Sequence, residues 1–500
     1  MARRSTFTSV SSFFGILAIM LLSTSVRAQS KDDQVQELKS ELNQLRSVVG
    51  ELESRLNALE ARENLASPGM RAGGGPEDAA ALSTAAATLR RANFTRTGAS
   101  AREPVGGEPV LAAAAPAPAE ASAATTLPGG ATLNFYFDGY FENNFNNPTG
   151  RVNDLRAYDV LSRVISINQA DLVLALDPDV KAGRRYGLRM DLQYGQATET
   201  LQGNPANEPR PDIYRNLFQA YGTYVVPVGS GLNVDFGKWA SSLGIEGNYT
   251  KDQMNYSRSF YFYFLPFYHA GARVHYDINK KLGVNYWLVN GTDQSEPTNG
   301  YKDEMFGLAL APAKTLNWTI NYYLGQEHPD TVAATNCVVP VQPGLCFAPL
   351  SPAPNGKLHI LDSYLTWNAT PKLTVAGEGD YVIQREWATA APGESSAPTH
   401  DDGGAAYVQY QFSPRYALAV RSEYLSDRGG MFSNVTQALK ETTGTWRYNF
   451  ADNFAAFLEY RRDWSNRPYF VTNNPASPTS HQDTAGIGLV WWYGQKQGNW

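Results

Sequence analysis

Six histidines, two cysteines and a few neighbouring carboxylates are the residues of this chain that could do chemistry. His269 and His275 flank Arg273 at even spacing, so a β-strand would put all three on one face. A metal site there would need a third ligand; His328, His359, His400 and His481 are scattered, so the pair reads as solvated side chains. Asp401-Asp402 and Glu378/Asp380 have the proximity of acid/base partners, yet they too read as solvated or lumen charges. Acidic loops could hold calcium, but the sequence singles out no such site. Cys337 and Cys346, nine positions apart in a Pro-rich stretch, read as a disulfide closing a small loop of an exported protein. No G-x-S-x-G, H-E-x-x-H, phosphate-cradling or dinucleotide motif occurs. Neither an enzyme nor a cofactor or resident metal is expected.

Composition explains where these groups stand. Aromatic residues make up 12% of the 500 residues and charged residues only 18%, against about 25% charged in a soluble domain. Mean hydropathy is −0.37, and beyond the first thirty residues no apolar run nears the roughly 20 residues of a membrane helix. Aromatic-rich, charge-poor chains without spanning helices fit an outer-membrane β-barrel, in which lipid-facing and water-facing residues alternate. Net charge is −6 with no basic block, so nucleic-acid binding has no electrostatic footprint.

Three segments precede the barrel. Residues 1–28 read as a signal peptide: Arg3 and Arg4, an apolar core from Phe13 to Leu22, and a cleavage site at Val26-Arg27-Ala28. In residues 31–65, Val35, Leu38, Leu42, Leu45, Val49, Leu52, Leu56 and Leu59 alternate in spacing by three and four. Glu41 faces Arg46, and Arg55 faces Glu60, as parallel coiled-coil strands pair them. A self-associating coiled coil follows, making the protein a homo-oligomer with a trimer favoured. Residues 66–130, rich in Ala, Pro and Gly, read as a linker.

From residue 131 to 500 the pattern is amphipathic strands. Between Arg185 and Tyr194, Tyr186, Leu188, Met190, Leu192 and Tyr194 share one face; Arg185, Gly187, Arg189, Asp191 and Gln193 share the other. Tyr268 to Asp277, Leu373 to Ile383, Tyr416 to Leu425 and Phe454 to Asp463 repeat it. Seven short turns, such as Asn279-Lys280-Lys281 and Ser413-Pro414-Arg415, alternate with eight long polar stretches near 143–160, 196–211, 239–267, 291–301, 327–357, 386–403, 427–434 and 465–481. The count predicts an all-β, antiparallel transmembrane barrel of about sixteen strands (14–18), short turns periplasmic and long loops outside. A barrel of that size can enclose water. The candidate pore-lining residues are Arg185, Arg189, Asp191, Asp235, Arg273, Asp380, Arg421, Glu423, Glu459, Arg461 and Asp463.

Two stretches resemble the β-barrel porin-2 (OmpL-like) family: Phe236-Gly237-Lys238-Trp239 with Leu243-Gly244-Ile245-Glu246, then Asn255-Tyr256-Ser257-Arg258-Ser259 with Pro266, His269 and Gly271-Ala272-Arg273. The likeness covers residues 131–500 and implies porin architecture, with no functional residues to carry over. Phosphate-selective porins, which also place heptads before a barrel, are a competing resemblance. The matched stretch contains the third long loop, whose run from Tyr256 to Tyr268 is very aromatic for a solvated segment. Two readings stay open: a constriction loop folded into the lumen, with Lys238, Glu246, Asp252 and Arg258 setting the field at its narrowest point, or a segment outside it, either an extracellular cap or one end of a longer strand in the aromatic girdle. The expected function is diffusion of small hydrophilic solutes across the bacterial outer membrane, with its lipids as surroundings. A structural envelope or adhesin barrel held by the coiled coil, or an anion/phosphate-selective porin, are the alternatives.

Overall fold

The computed structural model describes residues 125–201, 208, 210–327, 331–333, 347–349, 356–385 and 398–494. The signal peptide, the heptads, most of the linker, His328 and the Cys337–Cys346 pair lie outside the described residues.

Strand β1 (Thr125–Thr126) pairs with the start of β2 (Thr132–Asn144). The barrel continues through β3 (Ile165–Leu176), β4 (Tyr186–Tyr194), β5 (Leu217–Val226), β6 (Leu232–Ala240) and β7 (Tyr268–Asn279). Next come β8 (Leu282–Val289), β9 (Asp303–Ala313) and β10 (Leu316–Gly325). A short hairpin of β11 (Thr331–Ala333) and β12 (Phe347–Pro349) forms its own two-stranded sheet. The wall resumes with β13 (Leu358–Thr370), β14 (Leu373–Gln384), β15 (Thr399–Ser413) and β16 (Tyr416–Arg428). It ends with β17 (Gln437–Ala451), β18 (Phe454–Ser465) and β19 (His481–Tyr493). Each wall strand pairs antiparallel with its neighbours, and β19 returns to β2 with Ile487 opposite Phe141. Sixteen strands therefore close on themselves, leaving no edge unpaired in lipid.

The two-residue period sets the faces. Tyr186, Leu188 and Tyr194 are exposed on the outside of β4, while Arg189, Asp191 and Gln193 are buried inside. The last strand agrees: Ile487, Leu489 and Trp491 face out. At the short-turn end the outer face carries paired aromatics, Tyr410 edge-on to Phe412 at 4.9 Å and Phe450 stacked on Phe454 at 4.9 Å between centroids. This is a lipid-boundary girdle.

All seven short turns and eight long connections occur where the sequence puts them, with shifted edges. The first long loop extends to residue 164, because β3 begins only at Ile165. Asp401 and Asp402 are strand residues and not part of a 386–403 loop. Thr399 to Asp402 pairs with Gln384 to Tyr381 on one side, and Asp402 pairs with Ser426 on the other. Ladder hydrogen bonds outweigh the polarity of the side chains there.

Candidate functional site: the lumen and its inserted loop

The inner wall is layered along each strand from the long-loop end downward. Uppermost is an apolar collar that includes Trp239, Val289, Met305, Ile360, Val382 and Leu425, all buried. Below it come charged and polar residues: Asp380 and Glu378 follow Val382 on β14, and Glu423 and Arg421 follow Leu425 on β16. The 241–267 loop folds into this lumen, so of its two readings the inward one describes the structure. Its aromatic run forms a single helical turn, Phe260–Phe264, started by Ser259, whose Oγ accepts from the Phe262 N–H at 2.9 Å. Pro266 stands two residues past its end, where a helix cannot continue. The turn packs in the same apolar cluster as the collar, and Phe432 of the 429–436 loop covers it, 5.5 Å from Phe264.

A loop inside a barrel carries backbone N–H groups with no ladder to satisfy them, and each would be costly if left unpaired. Wall carboxylates take them in pairs. Glu423 accepts from Phe260 at 2.7 Å and Tyr261 at 2.9 Å. Glu459 accepts from Tyr256 at 2.7 Å and Ser257 at 2.9 Å. Glu378 accepts from Ile245 at 3.0 Å. Guanidinium groups do the same for carbonyls: Arg421 donates to Ser257 O at 2.7 Å while pairing with Glu246 and Glu441, each at 2.7 Å. Arg461 donates to Arg258 O and pairs with Asp463 at 2.6 Å.

This arrangement divides the sequence candidates. Arg421, Glu423, Glu459, Arg461 and Asp463 face inward as expected, but they are occupied in holding the loop or each other. Asp191 is fully buried, accepting from Arg189 at 2.6 Å and from Tyr249 of the loop at 3.1 Å. Water reaches the short-turn half of the lumen. There Asp235 and Arg273 pair at 2.7 Å with side chains 13% and 18% exposed, and Arg185 is half-buried. Asp252 of the loop, 24% exposed, pairs with Lys251 at the same level of partial access.

Four expectations need correction. Lys238 is not in the lumen. It shares the face of Phe236, which is 74% exposed to the outside, and its ammonium lies 3.7 Å from the outward Tyr268 ring centroid under flanking loops. Glu246 and Arg258 are in the inserted loop but buried. Arg258 spends its donors on Gly247 O, Tyr256 O and Asn248 O, fixing the loop's own shape and not charging an opening. His269 shares the inward face with Arg273 and His275, yet it is not solvated. It is sealed between Ser241 Oγ and Gly291 O at 3.0 Å each. Glu378, Asp380 and Asp401 stand on the inner face, as the lumen alternative had it, but are buried and not solvated.

Sequence reasoning missed the first long loop. Arg156 there bridges Asp159 at 2.6 Å and Asp463 at 2.8 Å, and the Tyr158 ring lies 5.2 Å from that of Phe262. Asp154 accepts from Val471 N–H at 2.8 Å; burial pushes its carboxyl up to about 6. The density of charge in RVNDLRAYDV, unusual for a free loop, was the available signal.

A closed sixteen-stranded barrel with an apolar outer belt and a polar, loop-filled lumen is an outer-membrane protein of porin type. The chain belongs to the family described as Putative beta-barrel porin-2, OmpL-like, which matches residues 130–491. No curated protein matches it. Among solved structures it is similar to OmpT of Vibrio cholerae, at 11% identity and TM-score 0.42, over 73% of this chain and 98% of that one. It is also similar to the anion-selective porin of Comamonas acidovorans, at 6% identity and TM-score 0.46 over 73% and 99%. OprB of Pseudomonas putida matches at 11% identity and TM-score 0.46 over 73% and 94%.

Proposed function

We propose that the protein is a channel for passive diffusion of small hydrophilic solutes, narrowed by its 241–267 loop, and that it works as a homo-oligomer, a trimer being favoured. The observation that carries this reading is the wet short-turn half of the lumen, where Asp235, Arg273, His275 and Asp277 keep water access. Apolar or fully closed packing at that level would serve no passage. Planar-bilayer recording of the purified mature chain tests it. Stepwise conductance supports diffusion, and a correctly folded barrel that inserts without steps sinks it.

One observation favours the structural-barrel alternative: the collar and the aromatic turn fill the long-loop half of the lumen. On that reading conductance appears only when the loop is displaced. An anion-selective channel has less support, because Asp362, Glu378, Asp380 and Asp401 cluster on one wall without an arginine or lysine ion pair among the described residues.

A further inference from the structure

Asp362 of β13 and Asp380 of β14 stand directly opposite each other in the ladder, and Glu378 lies two residues from Asp380 on the same inward face. Each offers an oxygen, and the three oxygens lie within 4.8 Å of one another. All three residues are buried. Nearby guanidinium groups pair instead with Glu246, Glu441 and Asp402.

The hydrogen bonds around the cluster are incomplete in a way that points to a missing positive ligand. Asp362 Oδ2 accepts from Asn321 at 2.8 Å, and Glu378 accepts from Ile245 N–H. Asp362 Oδ1 and both oxygens of Asp380 have no hydrogen-bond partner, although Asp380 is 95% buried and aimed at the other two. Ser242 of the inserted loop, also buried, has an unpartnered hydroxyl. Its carbonyl accepts from the same Asn321 amide that holds Asp362. Three buried carboxylates with no counter-charge are strongly unfavourable. Either a proton shared by Asp362 and Asp380 or a cation relieves them.

We propose that Asp362, Glu378 and Asp380 form a divalent-cation site, with calcium as its ligand. All donors are hard oxygens, which suit calcium and exclude a zinc-type nitrogen or sulfur set. Calcium–oxygen distances of about 2.4 Å put opposite ligands roughly 4.8 Å apart, so three oxygens that all lie within 4.8 Å of one another can share one ion; magnesium, which keeps several waters in a near-ideal octahedron, suits a buried carboxylate cluster less well. Because Glu378 also holds Ile245, the ion pins the inserted loop to the wall. The site does not depend on the barrel conducting.

The test uses the full mature chain, folded in detergent and stripped with EGTA. Terbium is added and excited through the nearby tyrosines, Tyr364 and Tyr407, then displaced with calcium. The expected result is saturable emission, competition by calcium, and a higher thermal midpoint with calcium than with EGTA. Asp380→Asn should weaken binding roughly tenfold or more. It should also fold, since that side chain gives up no hydrogen bond. Glu378→Gln serves as a second variant. Absence of saturable emission, or a calcium affinity in both variants equal to that of the native chain, overturns the proposal. So does a midpoint that responds to pH and not to calcium, which assigns the shared proton instead. The EGTA dependence of the native midpoint decides the matter even if a variant does not fold.

Discussion

Replacing Arg421 by Met keeps an unbranched apolar stem and removes the guanidinium. The native group is fully buried and serves Glu441, Glu246 and the Ser257 carbonyl at once. Removing one partner of a buried ion pair costs about 3–5 kcal/mol, because the other charge is left uncompensated. The two carboxylates are not equally stranded. Glu441 keeps the Thr443 hydroxyl and has Arg461 at 3.6 Å, whereas Glu246 keeps only the Ser259 N–H. Glu246 belongs to the loop, which can carry it into water while the strand ladder stays intact. The cost should therefore appear as loop release and not as barrel unfolding. Each 1.4 kcal/mol shifts that equilibrium about tenfold, so a substantial released population is expected. Limited trypsin digestion reads it, since Lys251 and Arg258 both lie in the loop and Arg258 is sealed in the native protein. Arg421→Met should be cut at these sites while its barrel core survives, and any channel conductance should rise. Adding Glu246→Gln should restore part of the protection, the coupling expected of residues in contact. A native tryptic pattern combined with a lower thermal midpoint would refute the reasoning, because Arg421 would then support the wall and not the loop.

Met190→Arg, at the middle of β4 on the same outer face as Leu188, places a charge on the lipid face and should cost roughly 2–4 kcal/mol near mid-membrane, read as a lower urea midpoint; a native midpoint would mean that β4 is assigned to the wrong face. Arg189→Glu, which leaves Asp191 without its 2.6 Å partner, should also destabilise the barrel, and unchanged folding would show that this buried pair is dispensable. Asp154 titrates near 6 in the folded protein, above the roughly 3.9 of an unfolded chain. Its contribution is full below the unfolded value and lost as pH rises through 6. Protection factors in 145–164, in which the base-catalysed rise of intrinsic exchange is divided out, should therefore be lower at pH 7.5 than at pH 5, and Asp154→Asn should abolish that difference. With Cys337 and Cys346 changed to Ser, a cysteine at Asn474 should label in intact cells and one at Lys280 should not; the reverse pattern inverts the topology. A peptide spanning residues 31–65 should sediment as a dimer or trimer, and a helical monomer at high concentration would defeat the coiled-coil reading.

Strands and turns were legible because alternation and turn residues are local signals. Asn279-Lys280-Lys281 needs no distant partner to be read as a turn, and Leu188 beside Arg189 states its own face. Lys238 was also within reach. It lies an odd number of residues from Asp235, so the two cannot face the same side of a strand. The loop's docking was not legible. Glu423 and Glu459 look like ordinary inward charges, and only the folded chain shows backbone N–H groups arriving at them. The apolar collar was concealed for the same reason: Val382, Leu425 and Leu439 each read as one more strand residue, and they form a ring only when sixteen strands close.

The way the inserted loop is held has a consequence for the order of events during assembly. Phe260 meets Glu423 across 163 positions of chain, and Tyr256 meets Glu459 across 203. When the hairpin of β6 and β7 first forms, nothing that can receive the loop yet exists beside it. Its N–H groups stay in water until β16 and β18 have joined the wall. Docking is thus among the last steps of maturation, and a chain truncated before β16 would reach the membrane with this segment still outside. Folding intermediates of this barrel should be more open than the finished protein, and resistance to protease at Arg258 should report completion of its C-terminal third.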